Sequence, residues 1–145
     1  MVLPERIGLT AKGETSLHAL LDIVKRTPET VRGGAIATFT GIVRGYTHEG
    51  DEVDRLEFDA DPVAAEAALA RIAEDLRGRP GIVDVLLHHM IGTFSVGEEL
   101  VYVVVVGETR DAVFRVLQEA VERYKHDVPI WKKEYLKDGT SRWVT

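Results

Sequence analysis

The chain contains no cysteine. That excludes disulfides, thiolate metal centres and a cysteine nucleophile, so any sulfur chemistry here must use sulfur carried in from elsewhere. No apolar run is long enough to cross a bilayer. The longest, Leu100 to Val106, falls far short of the roughly 20 residues a membrane helix needs. The opening Met1-Val2-Leu3-Pro4-Glu5-Arg6 lacks a charged-then-apolar signal pattern, which leads us to expect a soluble cytoplasmic protein. Internal repeats, low-complexity stretches and linkers are missing too, so residues 1–145 read as one domain. Positive charge is in the minority, 18 Lys and Arg against 24 Asp and Glu, which argues against a general nucleic-acid binder. An anionic ligand would need a local basic cluster acting against a net charge of -6. There is no P-loop, no Gly-x-Gly-x-x-Gly and no aspartate cluster for magnesium. His18, His48, His88, His89 and His126 show no metal-ligand spacing, and no metal site or cofactor is expected. The adjacent His88 and His89 would point to opposite faces of a strand and read as structural.

What remains is a chain of ordinary size, 45% hydrophobic, able to bury roughly two-thirds of its unfolded surface. Arg6 to Ala11 is a candidate edge strand. Thr15 and Ser16 are candidate caps for a helix carrying Leu17, Leu20, Leu21 and Val24 at helical spacing, stopped at Thr27-Pro28. Gly33-Gly34 opens a strand, Ala35 to Arg44, and Gly45 to Asp51 is a polar loop. Val53 to Asp59 alternates imperfectly, with Val53, Arg55, Glu57 and Asp59 on one face. Pro62 suits the first turn of a helix to about Arg77. Ile82 to His88 and Ile91 to Val96 read as two extended pieces. Leu100 to Val106 is apolar on both faces, as a central strand or one covered by a partner subunit would be. Asp111 to about Lys125 is a helix with Val113, Phe114, Leu117, Ala120, Val121 and Tyr124 inward. Ile130 to Leu136 is a last long strand, and the turn at Asp138-Gly139 lets Arg142-Trp143-Val144 pair back. This order predicts an α+β domain with three helices and a mixed, mainly antiparallel sheet.

The densest signal is Lys125-His126-Asp127-Val128-Pro129-Ile130-Trp131-Lys132-Lys133-Glu134. Lys125 sits where a helix dipole favours a cation. Alternation puts Lys132 and Lys133 on opposite strand faces, so at most one shares a pocket with Lys125. Arg110, at a helix start, stands where a cation is unfavourable. Beside free helix N–H groups it could hold a phosphate.

Val128-Pro129-Ile130-Trp131-Lys132-Lys133-Glu134 after a Lys-ended helix resembles the large, catalytic subunit of molybdopterin synthase. Three further stretches agree in order: Thr38-Phe39-Thr40-Gly41-Ile42-Val43-Arg44; Leu56-Glu57-Phe58 before the Pro62 helix; and His89-Met90-Ile91-Gly92 with Val96-Gly97-Glu98. The likeness covers roughly residues 33 to 143. It implies an α/β hammerhead-like fold, with Lys125 and Lys132 catalytic and Arg44, Thr109, Arg110, Lys133 and Glu134 in substrate binding. The implied reaction moves sulfur from the terminal thiocarboxylate of a small ubiquitin-like carrier ending in Gly-Gly onto cyclic pyranopterin monophosphate. That step makes the dithiolene of the molybdenum cofactor. The implied assembly is a homodimer within a heterotetramer, without nucleic acid or membrane. The chain departs from the family where Thr109 replaces a histidine, where Met90 replaces an arginine and where it ends at Thr145, short of a further basic residue. A carrier-binding homologue without catalysis therefore stands as an alternative, and a phosphate-ligand hydrolase as a weaker one. Arg110 and Lys125 lie fifteen residues apart on one helix, or roughly 22 Å at 1.5 Å per residue. One pterin phosphate cannot touch both within a chain, so the two residues predict sites straddling a homodimer interface, for which Leu100 to Val106 is a candidate surface.

Overall fold

The computed structural model describes residues 6–144. Strand β1 (Ile7–Ala11) leads to helix α1 (Leu17–Arg26), whose cap is Ser16: its Oγ accepts from the Ala19 N–H at 3.1 Å. A short 3-10 helix (Pro28–Arg32), which the sequence reading lacked, follows the Thr27-Pro28 stop. Then come β2 (Ala35–Ile42), β3 (Val53–Ala60), α2 (Pro62–Arg77), β4 (Ile82–Ser95), β5 (Glu99–Gly107), α3 (Arg110–Asp127), β6 (Ile130–Leu136) and β7 (Ser141–Val144). The expected class holds: three α-helices and one seven-stranded sheet ordered β2-β5-β4-β3-β6-β7, with β1 pairing β4 in parallel and every other pairing antiparallel.

The two pieces expected at Ile82–His88 and Ile91–Val96 are one strand. β4 pairs β5 along residues 82–89, takes β1 along 87–91 and turns to β3 along 92–95. Gly92, at φ 127°, stands at this hand-over, in a conformation that side-chain-bearing residues rarely adopt. β4 thereby joins a first sheet region (β2, β5, β4, β1) to a second (β4, β3, β6, β7).

β5 is the centre of the first region, and Leu100 to Val106 are all buried. The cover comes from within the chain. α2 packs on β4 and β1, and α3 on β2 and β5. A Cβ at Gly107 would meet Val113 of α3, whereas Val106 meets Gly33 at the end of the 3-10 helix on the other face. The expectation that this strand forms a dimer surface is therefore corrected: nothing of it is left to share. The stripe of α3 is corrected as well. Val113, Val116, Ala120 and Tyr124 are buried, while Phe114 is 62% exposed. On β3 the imperfect alternation has a mechanical cause. Val53 pairs Leu136 and Arg55 pairs Tyr135, so Asp54 is a bulge, and Val53 joins Leu56 and Phe58 in the core.

Candidate active site

Lys125 lies in the last turn of α3 and Lys132 near the start of β6, on either side of the junction between the two elements. Tyr124, in the last turn of α3, is buried; Lys125 follows it and is exposed. Val128 closes the helix with its N–H on the Tyr124 carbonyl and buries its side chain, and Pro129 prevents continuation. β6 starts one residue later. Lys132 lies directly across from Phe58 of β3 and shares its core-facing side, half-buried.

A row of rings joins Phe58, across from Lys132, to Tyr124, which precedes Lys125. Phe58 packs edge-on to His89 at 5.3 Å, and His89 to Tyr124 at 5.9 Å, with Phe94 behind Phe58 at 5.8 Å. His89 is 3% exposed, and its Nδ1–H donates to the Met90 carbonyl at 2.9 Å. Burial pushes its pKa down to about 4, although the Met90 contact opposes the shift. Burial also drives the Tyr124 hydroxyl up to about 12. This row of rings is therefore uncharged near neutral pH. His88, also buried, projects from the opposite face of β4, against Gly8, as strand alternation requires. Met90 shares that opposite face and is 2% exposed, so the missing arginine leaves a core position filled.

Lys133 is not with Lys132. It lies on the outer face, with its ammonium 5.1 Å from the Tyr135 ring and 5.4 Å from the Trp143 ring. Arg55 stacks on the same tyrosine at 3.9 Å, and the Tyr135 hydroxyl donates to Glu57 at 2.9 Å. Glu134 returns to the Lys132 side but is buried and occupied: Arg142 of β7 donates Nε–H to its carboxylate at 2.9 Å. Sequence reasoning overlooked Arg142. The signal was available, because the Asp138-Gly139 turn sets Glu134 opposite Arg142.

Arg44 is exposed just beyond β2, where the register with β5 slips between Gly41 and Ile42. The loop after it is an ordered hairpin. The backbone of Thr47 bonds to Asp51 and its buried hydroxyl accepts from the Asp51 N–H; Glu49 then reaches Arg142 at 3.4 Å. The chain after Arg44 is thus carried toward the β6–β7 hairpin. Thr109 caps α3, its Oγ accepting from the Ala112 N–H at 3.3 Å, and Arg110 opens the helix, exposed. α3 is unbroken from Arg110 to Asp127, so Arg110 and Lys125 stand at opposite ends, roughly 22 Å apart. A hollow of about 490 Å³ beside Thr109 offers no spare cation: Arg79 is bound by both Glu119 oxygens at 2.8 Å and Arg115 by Asp111.

Arg6, Arg55, Arg77, Arg79, Arg115, Arg123 and Arg142 all meet carboxylates. Among the described residues, Arg44, Arg110, Lys125 and Lys132 make no ion pair, and neither do Lys25, Arg26, Arg32, Arg71, Lys133 and Lys137. No group of three or more His, Asp or Glu side chains suited to a metal ion occurs among the described residues, and no described helix is long and apolar enough to cross a membrane.

Known proteins match this architecture. The family model described as MoaE protein matches residues 10–127. A probable molybdopterin synthase of Haloferax volcanii is 40% identical over 85% of this chain, which spans only 48% of that relative's length. A molybdopterin synthase catalytic subunit of Nostoc is 35% identical over 89% of this chain and 74% of its own. The crystal structure of molybdopterin synthase from Staphylococcus aureus superposes with a TM-score of 0.81 at 28% identity, covering 100% of this chain and 99% of that one. The chain belongs to the MoaE protein family, whose matched relatives are molybdopterin synthases and their catalytic subunits.

Proposed function

We propose that this chain is the catalytic subunit of a molybdopterin synthase, transferring sulfur from a carrier thiocarboxylate to cyclic pyranopterin monophosphate. One observation carries the reading: Lys125 and Lys132, without carboxylate partners, adjoin the two ends of a neutral, buried row of rings, Lys125 following Tyr124 on α3 and Lys132 standing across from Phe58 on β6. Both reactants are anions, and two unit charges 4 Å apart repel by about 4 kcal/mol at an effective dielectric constant of about 20. Unpaired cations offset that repulsion, whereas paired ones have already spent their field.

In this reading the carrier's extended tail brings its sulfur to the phosphorylated substrate. The sulfur attacks a side-chain carbon of the pterin as a carbon–oxygen bond at that carbon breaks, its oxygen leaving with a proton from Lys125, and water then cleaves the acyl–sulfur bond, releasing the carrier as a carboxylate. A second carrier repeats the cycle and completes the dithiolene. Lys125 acts as general acid and base, with Lys132 as its electrostatic partner. Arg44 holds the phosphate as a planar fork. Arg110 and Thr109, at the far end of α3, serve a site only if a second copy supplies them. Within one chain Lys133 faces away from Lys132 and Glu134 is engaged by Arg142, so any contact of Lys133 with substrate also calls for a second copy.

The test is Lys125→Ala, assayed for dithiolene formation with purified thiocarboxylated carrier. Loss of general acid–base catalysis lowers turnover by roughly 10²- to 10⁴-fold, while carrier binding persists. Unchanged turnover removes the mechanism. A chain that binds carrier yet never turns over supports the non-catalytic alternative.

A further inference from the structure

The buried histidine in the row of rings, His89, has no part in the chemistry just described. It nevertheless touches α3, which carries Lys125, and β3, the strand paired with the one that carries Lys132. Phe58, its neighbour at 5.3 Å, is the residue paired across the sheet with Lys132. Tyr124, its neighbour at 5.9 Å, directly precedes Lys125. Phe94, fully buried, backs Phe58 on its far side. The rings therefore form a stack from the second sheet to the end of α3, with His89 at its middle. Edge-to-face packing holds ring centroids within a narrow range of separations, which a flexible aliphatic chain does not.

We propose that His89 is a positioning residue, a rigid spacer that sets the separation between the Lys132 strand and the Lys125 helix end. The ring is anchored to its own strand by the Nδ1–H bond to the Met90 carbonyl, so it cannot swing out of the stack. Being neutral, it adds no third cation beside the two ammonium groups. An arginine or lysine would fill similar space, but would bring a buried charge with it. The role of His89 rests on the reading of Lys125 and Lys132 as the reacting pair.

Two apolar variants of the full-length chain separate positioning from mere packing. His89→Phe keeps the ring and loses the bond to Met90; its Tm falls while kcat stays within about threefold of wild type. His89→Leu keeps much of the volume and loses the ring; its kcat falls at least tenfold with KM for the pterin within about twofold, since orientation rather than binding is lost. Hydrogen exchange is read in parallel on the chain alone. In His89→Leu the amides of Val128, Ile130, Trp131 and Lys132 exchange at least tenfold faster, while those from Val103 to Val105 in β5 keep wild-type rates. Wild-type kcat in His89→Leu, or exchange that quickens equally in β5, overturns the proposal. If wild-type protein itself forms no dithiolene, the catalytic reading fails, and the exchange pattern still decides whether the ring stack fixes the two elements.

Discussion

At the scale of single residues, burial decides what a titratable group contributes. His89 takes a proton near pH 6.5 when the chain is unfolded and only near about 4 when folded. Between those values the unfolded state binds more protons, so stability falls as the pH falls, and above about 6.5 it is flat. The difference from this one ring amounts to about 2 kcal/mol between pH 7 and pH 5. Urea unfolding at the two pH values checks it, with His89→Phe as reference. The wild type loses more stability on acidification than the variant, and equal losses would place the titration elsewhere. The family resemblance assigned Glu134 to substrate binding. Its partner Arg142 is eight residues away in sequence but directly opposite in the hairpin, and within the chain that pairing engages its carboxylate.

At the scale of elements, α3 is held at both ends by devices that also fix where its cations stand. Its first turn rests on the end of β5 without room to spare. A Cβ at Gly107 would come within 2.7 Å of Val113 and 2.8 Å of the Gly81 carbonyl. Gly107→Ala therefore overpacks this contact and destabilises by about 1–3 kcal/mol. Thr109→Ala, which strips the cap, destabilises by about 1 kcal/mol. Denaturant midpoints check both, and a Gly107→Ala midpoint equal to wild type would mean that the approach of α3 to the sheet is looser than described. Most elements were legible because their signals are local: Pro62 at a helix start, Pro129 after a helix end, the Asp138-Gly139 turn. The rest depended on partners. The bulge at Asp54 exists only relative to β6, so the phase of Val53 could not be read from β3 alone. β4 looked divided because His88, His89 and Met90 interrupt an apolar run, yet all three are buried, by packing that the sequence does not announce. Phe114 looked like core because it is aromatic, but Val116 occupies the inward position.

At the scale of the whole molecule, the chain is acidic overall, and two of its cations without a carboxylate partner, Arg110 and Lys125, stand at the two ends of one unbroken helix. The sequence foretold that separation from residue spacing, and the unbroken α3 upholds it. What the sequence misjudged was where a second copy could attach. It pointed to the apolar stretch Leu100 to Val106, which the chain's own helices and flanking strands cover. If Arg110 and Lys125 serve a single site, that site belongs to two chains, and the consequence is measurable by mixing. Arg110→Ala and Lys125→Ala are each expected to lack turnover. A hybrid dimer of the two places both substitutions in one site and leaves the other intact. With random pairing of equal amounts, half the dimers are hybrids, so activity returns to about a quarter of wild type. Co-expression under two affinity tags, followed by assay of the doubly tagged fraction, reads this directly. Restored turnover in that fraction means that one chain's Arg110 works with the other's Lys125. A doubly tagged fraction as inactive as its parents would mean that each chain either builds its site alone or requires both of its own helix ends intact, and the shared-site reading would be abandoned.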